Sequence, residues 1–418
     1  MIKKSPLAVA AFVMMLGSAS LSLIPSVGYA DQTSEKAKVE VFRQEWSKPY
    51  QEIQKLIGNK QYAEAMEKVN VLAAADKQTP YEMFFISRTR AVLASSTGDN
   101  SLLAKCFEEM INSDFLSPAE KLKYTEGMAS TYYQEKKYPD SQKWVRRYLA
   151  LDTSNKVMQD LFLRNFFATD DFASVVREGK LLIEEDAKSD RIPGEDRLRI
   201  VFFAFMKLKD IEGSTPTLEM MVKHYPKREY WADLLYRIPN RAGFSDRLTL
   251  DWYRIMFATG NLEDAEQYFG MAEAAMLAGL PLEAKNAMDA GYKSGILGKG
   301  VNAAKQKPMH EKAIKSAAED DKQLDAGEAT ARSAKTGVGL VNMGYNYALH
   351  GQFEKGIAMM EQGIAKGGLK APEEAKLHLG LAYHMSGNKE KAIEVFATVR
   401  GTDGAATLAR YWSLFVTQ

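Results

Sequence analysis

Apolar residues along most of the chain recur at i, i+3 and i+4, the period of a helix that buries one face. Leu102, Leu103, Cys106, Phe107, Met110 and Ile111 form one such stripe, with Lys105, Glu108 and Glu109 opposite. Cys106 lies on the buried side and reads as a packed thiol rather than a nucleophile. Runs of this kind are separated by short polar punctuation such as Gly58-Asn59, Gly98-Asp99, Asp170-Asp171, Gly260-Asn261, Gly351 and Gly387-Asn388. Sustained alternation of β-branched and polar residues, the mark of strands, is missing. Loops this short force consecutive helices to lie antiparallel and adjacent. The pattern predicts an all-α chain of helix–turn–helix units.

These units repeat. Near the C-terminus Gly344, Tyr347, Gly351, Gly356 and Met360 recur 36 residues later as Gly380, Tyr383, Gly387, Ala392 and Phe396. Upstream, Ala129, Tyr132, Tyr138, Ser141 and Val145 keep the same spacings, as do Ala272, Ala275, Gly279, Ala284 and Met288. A small residue on each helix lets the two backbones approach, and an aromatic fills the gap to the next unit. The spacing is close to the ~34 residues of a tetratricopeptide repeat, and these positions resemble that family. The resemblance implies a right-handed α-solenoid of tetratricopeptide-like hairpins whose first helices line a concave surface. A single hairpin cannot bury its own apolar face, so the units must stack. Composition then places degenerate repeats at 31–225, middle hairpins at 226–300, a charged helical spacer at 301–336 and the clearest repeats at 337–418. The spacer is rich in Lys, Glu, Asp and Ala and fits a solvated connecting helix or a mobile segment.

The first thirty residues change the expected compartment. Lys3 and Lys4, an apolar run from Leu7 to Leu23 interrupted by Gly17 and serines, Pro25, and Gly28-Tyr29-Ala30 read as a secretory signal cleaved after Ala30. The run is too short and too rich in Gly and Ser to suggest a membrane anchor. Cleavage removes two of the 55 Lys and Arg and none of the 54 acidic residues, leaving a mature charge of −1. The compact signal points to the bacterial periplasm, with no membrane insertion after cleavage. A balanced charge argues against a nucleic-acid partner, and one Cys excludes an internal disulfide.

Candidate chemistry narrows quickly. His310-Glu311 opens like a zinc-protease helix, but Ile314 stands where the second His belongs. Gly337-Val338-Gly339 has no strand before it and ends in Asn342, unlike a dinucleotide loop. Asp170-Asp171, Glu184-Glu185-Asp186 and Glu319-Asp320-Asp321 lie in turns or on polar helix faces and read as solvated. Resemblance to periplasmic lytic transglycosylases, which set an α-solenoid beside a lysozyme-like domain, would imply a Glu-Ser pair, and the chain contains none. No catalytic residue, metal ligand or cofactor-binding residue is assigned.

Two surfaces remain as partner sites. The inner face of the C-terminal hairpins is expected to display Val341, Asn342, Tyr345, His378, Leu381 and His384. The aromatic segment around Tyr230 and Trp231 carries the residue types of binding hot spots, although such rings also knit neighbouring repeats together. Resemblance to exported repeat proteins of Gram-negative bacteria implies a non-catalytic scaffold that docks a protein or peptide of the cell envelope, in assembly or transport. The alternative is an accessory protein holding an envelope glycan or lipid in the solenoid hollow.

Overall fold

The computed structural model describes residues 43–300 and 302–418, and the signal segment lies outside them. Among the described residues every regular element is a helix, either α or a short 3-10 turn. The chain divides into two compact units, one ending at Leu182 and one running from Ile183 to Gln418. That division falls inside a helix, away from the composition shift at residue 225.

The first unit is a row of hairpins: α1 (Ser47–Gly58) with α2 (Tyr62–Ala73), α3 (Pro80–Thr97) with α4 (Asn100–Asn112), α5 (Pro118–Gln134) with α6 (Tyr138–Leu149), and α7 (Lys156–Ala168) with the start of α8 (Phe172–Lys188). The first helices start sharply where the sequence supplies caps. Thr79 and Ser117 each form a capping box with the Glu three residues on, and Pro80 and Pro118 follow at positions that need no amide donor. The turns share one geometry. The amide of Lys137 donates to the Tyr132 carbonyl across a left-handed Lys136, and Gln61 to Leu56 does the same across Lys60. In the second hairpin Gly98 takes the left-handed place, where a residue without Cβ is unstrained. Inside the hairpins, Ser141 Oγ donates to the Ala129 carbonyl at 2.7 Å and accepts from Asn165 Nδ2 at 2.9 Å. Phe107, Trp144, Tyr148 and Met158 fill the core around Cys106, each at most 4% exposed.

In the second unit α9 (Glu195–Lys207) pairs with α10 (Ile211–His224), followed by the short α11 (Arg228–Leu235) and α12 (Thr249–Ala258). Then come α13 (Ala265–Leu277) with α14 (Pro281–Lys293), α15 (Ala303–Gln323) against α14, the short α16 (Glu328–Ser333), α17 (Val338–Leu349) with α18 (Phe353–Lys366), α19 (Pro372–Met385) with α20 (Lys389–Phe396), and α21 (Ala405–Val416). The 36-residue repeat is the tightest packing. A Cβ placed on Gly344 would meet the Gly356 carbonyl oxygen at 2.5 Å, and one on Gly380 would meet the Phe396 ring at 2.4 Å. Of the charged stretch 301–336, the described residues 302–336 are not a free spacer. They fold as α15 and α16, which bury Gln306, Ala313, Ala317 and Ala331. His310 stacks on Tyr292 of α14 at 4.9 Å, and Asp320 accepts from Asn346 of α17 at 2.9 Å. Small alanines carry this packing, which is why apolar periodicity looks weak there. Nor is the acidic run at 184–186 wholly solvated, because buried Asp186 pairs with buried Arg197 at 2.7 Å.

The unit closes on itself through α21. The Ser245 amide donates to the Asp403 carbonyl at 2.9 Å, Arg410 pairs with Glu219 at 2.8 Å, and Phe415 meets Trp231 at 6.2 Å.

Candidate functional site: open and filled inner faces

The shared turn sets a register for comparing first helices. Counting from the carbonyl that accepts the turn bond, the residues nine, six and two before it and one after it share a face turned away from the second helix. In α3 these are Phe85, Arg88, Val92 and Ser95; in α5 Lys123, Glu126, Ser130 and Tyr133; in α7 Val157, Asp160, Arg164 and Phe167. None is buried. Tyr50 holds the same place on α1 and meets Phe85 edge-on at 4.4 Å. The Arg88 side chain lies where its charge acts on the hydroxyls of both Tyr50 and Tyr124, and Arg164 acts likewise on Tyr133. Arg88 is exposed and pairs with no carboxylate among the described residues. The first unit thus presents a row of reachable rings and guanidinium groups. In the second unit α9 presents Asp196, Arg199, Phe203 and Met206 at these positions, all exposed.

The C-terminal repeats behave differently. The middle register positions hold Val341 and Tyr345 on α17 and Leu377 and Leu381 on α19, each no more than 4% exposed, while Val338 at the outer position is exposed and Glu374 and His384 are half-buried. What covers them is the same chain. Arg254 of α12 places its guanidinium 4.8 Å from the centre of the Tyr345 ring, and His378 stacks on the same ring at 4.9 Å. Arg254 donates through Nε and Nη2 to the two oxygens of Glu283, both at 2.7 Å, and through Nη1 to Asp251 Oδ1 at 2.6 Å. His378 Nε2 lies 2.9 Å from that Asp251 oxygen and 3.0 Å from Arg254 Nη1. Burial pushes the Asp251 carboxyl up, but His378 and Arg254 outweigh it and bring it down to about 2. For Glu374, at the mouth, burial outweighs the pull of His378, Arg247 and Arg254 and raises its carboxyl.

Of the expected docking residues, Val341, Tyr345 and Leu381 are therefore core rather than displayed, His378 and His384 are half-buried, and Asn342 is exposed. His384 packs beside Trp412 and Phe415 of α21, at 5.7 and 5.9 Å. Tyr230 and Trp231 are also core, at 5% and 3% exposure. The Tyr230 hydroxyl donates to Glu195 of α9 and Trp231 packs on α21, so this segment joins repeats. Arg88, Tyr133, Phe203 and Met206 were not singled out from the sequence. Their signal is the turn register, which is visible once the left-handed lysines are recognised as turns.

The network also has to be tested as a metal or catalytic site. Asp251, Glu374 and His378 offer ligand atoms within 4.8 Å of one another. An ion held by Asp251 and His378 would have to displace Arg254 Nη1, which already supplies positive charge at hydrogen-bond distance from both. Two carboxyl groups with divergent proton affinities are a pattern of acid–base pairs. Here Asp251 is 1% exposed and its Oδ1 is held by Arg254 and His378, so only Glu374 at the mouth could be reached by a substrate. The arrangement holds helices together.

No family model matches this chain, and no curated protein matches it. Solved structures similar to it include tetratricopeptide domains. The TPR2AB domain of yeast Sti1 in its pHSP90 complex is 9% identical, covering 72% of this chain and all of that one, with a TM-score of 0.26. The P58(IPK) TPR domain is 9% identical, covering 89% of this chain and 97% of that one, with a TM-score of 0.25. Yeast Tom70 is 13% identical over 88% and 95%, with a TM-score of 0.20. Superposition at that level is loose, and the fold assignment rests on this chain's own hairpins, turns and 36-residue spacing.

Proposed function

We propose that the protein is a non-catalytic docking scaffold that grips a protein or peptide segment along the open inner row of its first unit. The observation that supports this reading is the contrast within one register. Tyr50, Phe85, Arg88, Tyr133 and Arg164 stay reachable, where the C-terminal repeats fill the same positions from their own chain. Aromatic and Arg side chains dominate binding energy at interfaces, and a row spaced by successive helices suits an extended or helical segment. The signal-like first thirty residues support export to the periplasm, with work in envelope assembly or transport. A glycan or lipid held in the solenoid hollow is less well supported, because in the second unit that space is taken by Arg254 and its partners.

The test is affinity capture from periplasmic extract with the mature chain and with Arg88→Glu. The expected result is a stoichiometric protein that the variant retains at least tenfold less. Equal capture by both chains, or turnover of a substrate by the purified protein alone, would overturn the reading.

A further inference from the structure

The first unit contains a second recess, of about 1010 Å³, between the N-terminal half of α3 and the C-terminal end of α4. It opens on a different side of α3 from the inner row: Met83, Phe84, Ser87 and Arg90 line it, whereas Phe85 and Arg88 do not. One wall is aromatic. Tyr81, Phe84 and Phe115 lie with ring centres 5.3 to 6.4 Å apart, and Met83 stands half-exposed beside them. Facing them is the Glu109 carboxylate. It accepts from Ser87 Oγ at 2.6 Å and has no cationic partner among the described residues. Arg90 lines the same recess but donates to Asn70 on α2 at 2.6 Å. Asp114 adds a second acidic group to the lining.

We propose that this recess takes a lysine or arginine side chain of a partner polypeptide, carried next to an aromatic or branched aliphatic residue. The reasoning is charge and shape. The faces of aromatic rings attract a cation, and Glu109 offers a carboxylate that its own fold leaves uncompensated. An anionic ligand would meet Glu109 and Asp114 as like charges, against the single guanidinium of Arg90, which is turned to Asn70. The volume exceeds one side chain, so the apolar neighbour covers the ring wall while the cation reaches Glu109. This inference rests on the docking reading only in taking the ligand to be a polypeptide, and it uses residues outside the inner row.

The experiment titrates the full mature chain with acetyl-Phe-Arg-Phe-amide, acetyl-Phe-Glu-Phe-amide and a chito-oligosaccharide, followed by isothermal calorimetry. The expected result is that the Arg peptide binds at least tenfold more tightly than the Glu peptide. Glu109→Gln, which keeps an acceptor for Ser87, should abolish that preference, and Phe115→Ala should weaken both peptides. Arg88→Glu should leave the preference intact, which separates this site from the inner row. Equal affinity for the two peptides, binding of neither, a preference that survives Glu109→Gln, or tighter binding of the oligosaccharide would each overturn the proposal. Capture from extract then reports on the docking reading by itself.

Discussion

Arg254→Met tests whether the filled face of the C-terminal repeats holds the second unit closed. Met matches the length of the Arg stem and keeps its apolar packing against Tyr345, but removes every donor. Three charge-assisted bonds of 2.6 to 2.7 Å disappear, and the carboxylates of Asp251 and Glu283 stay buried without their cation. Removing one partner of a buried ion pair costs about 3–5 kcal/mol. For a unit of this size each kcal/mol moves the melting point by roughly 2–4 °C, so calorimetry should show a fall on the order of 6–20 °C. The acid limb gives a second reading. The Asp251 carboxyl sits at about 2 in the fold against 3.8 as a free group, a difference worth roughly 2–3 kcal/mol. Because the folded value is the lower one, this stability is complete above pH 4 and is lost as pH falls from about 4 towards 2. In Arg254→Met the acid-dependent part should shrink, since the guanidinium no longer favours the charged form. Replacing Asp251, Arg254 and Glu283 together by apolar residues should recover most of the loss, because no buried charge is stranded. A single variant that melts within about 1 kcal/mol of the parent would refute the view that this network is buried and closed.

Two further outcomes follow from packing. Gly356→Ala sets a methyl 2.4 Å from the Gly344 carbonyl oxygen and 2.9 Å from the Ala348 amide; both are backbone atoms, so the helices must part, and the urea midpoint should fall by the equivalent of roughly 1–3 kcal/mol, whereas an unchanged midpoint would show the approach to be looser. Cys106 is 1% exposed and burial pushes its thiol up to about 11; Ellman's reagent should modify it at least about a hundredfold more slowly in native buffer than in guanidinium, and rapid native modification would place it outside the core.

The hairpins were legible because the forces that make them are local. Capping residues, helical stripes and glycine turns occupy a few consecutive positions, so Gly98, Gly260, Gly351 and Gly387 announce their turns directly. Lys60, Lys136 and Lys209 hold the same left-handed conformation at φ of 59–61°, and nothing in the chemistry of a lysine advertises it. Those repeats look degenerate in sequence while keeping the turn geometry of the others. In the stretch 301–336 the burial of the described helices is hidden in the sequence for a related reason. Ala313 and Ala317 are core residues, yet alanine adds so little apolar contrast that a packed helix resembles a solvated one. Its anchors are polar, His310 on Tyr292 and Asp320 beneath Asn346, and pairings of that kind have no period.

What covers an inner face is a different sort of information. Arg254 and His378 are 124 residues apart, and Ser245 meets Asp403 across a comparable distance in sequence. Periodicity says that Tyr345 and His378 share a side of their hairpins, but not that α12 will lie against it. One clue was nonetheless available. A helix apolar on one stripe is half-buried, and a helix apolar all round is buried on both sides. α17 carries no charged residue at all, and its inner positions are Val338, Val341, Tyr345 and Ala348. By contrast α3, α7 and α9 set Arg88, Arg164 and Arg199 at theirs. On α17 the apolar inner face is covered by the chain itself, through Arg254 and His378 at Tyr345, and in the docking proposed above the rings and guanidinium groups of the first unit are left for a partner. By that criterion the C-terminal repeats, where the repeat signature is sharpest, have the middle of their inner face already filled by Arg254 and His378.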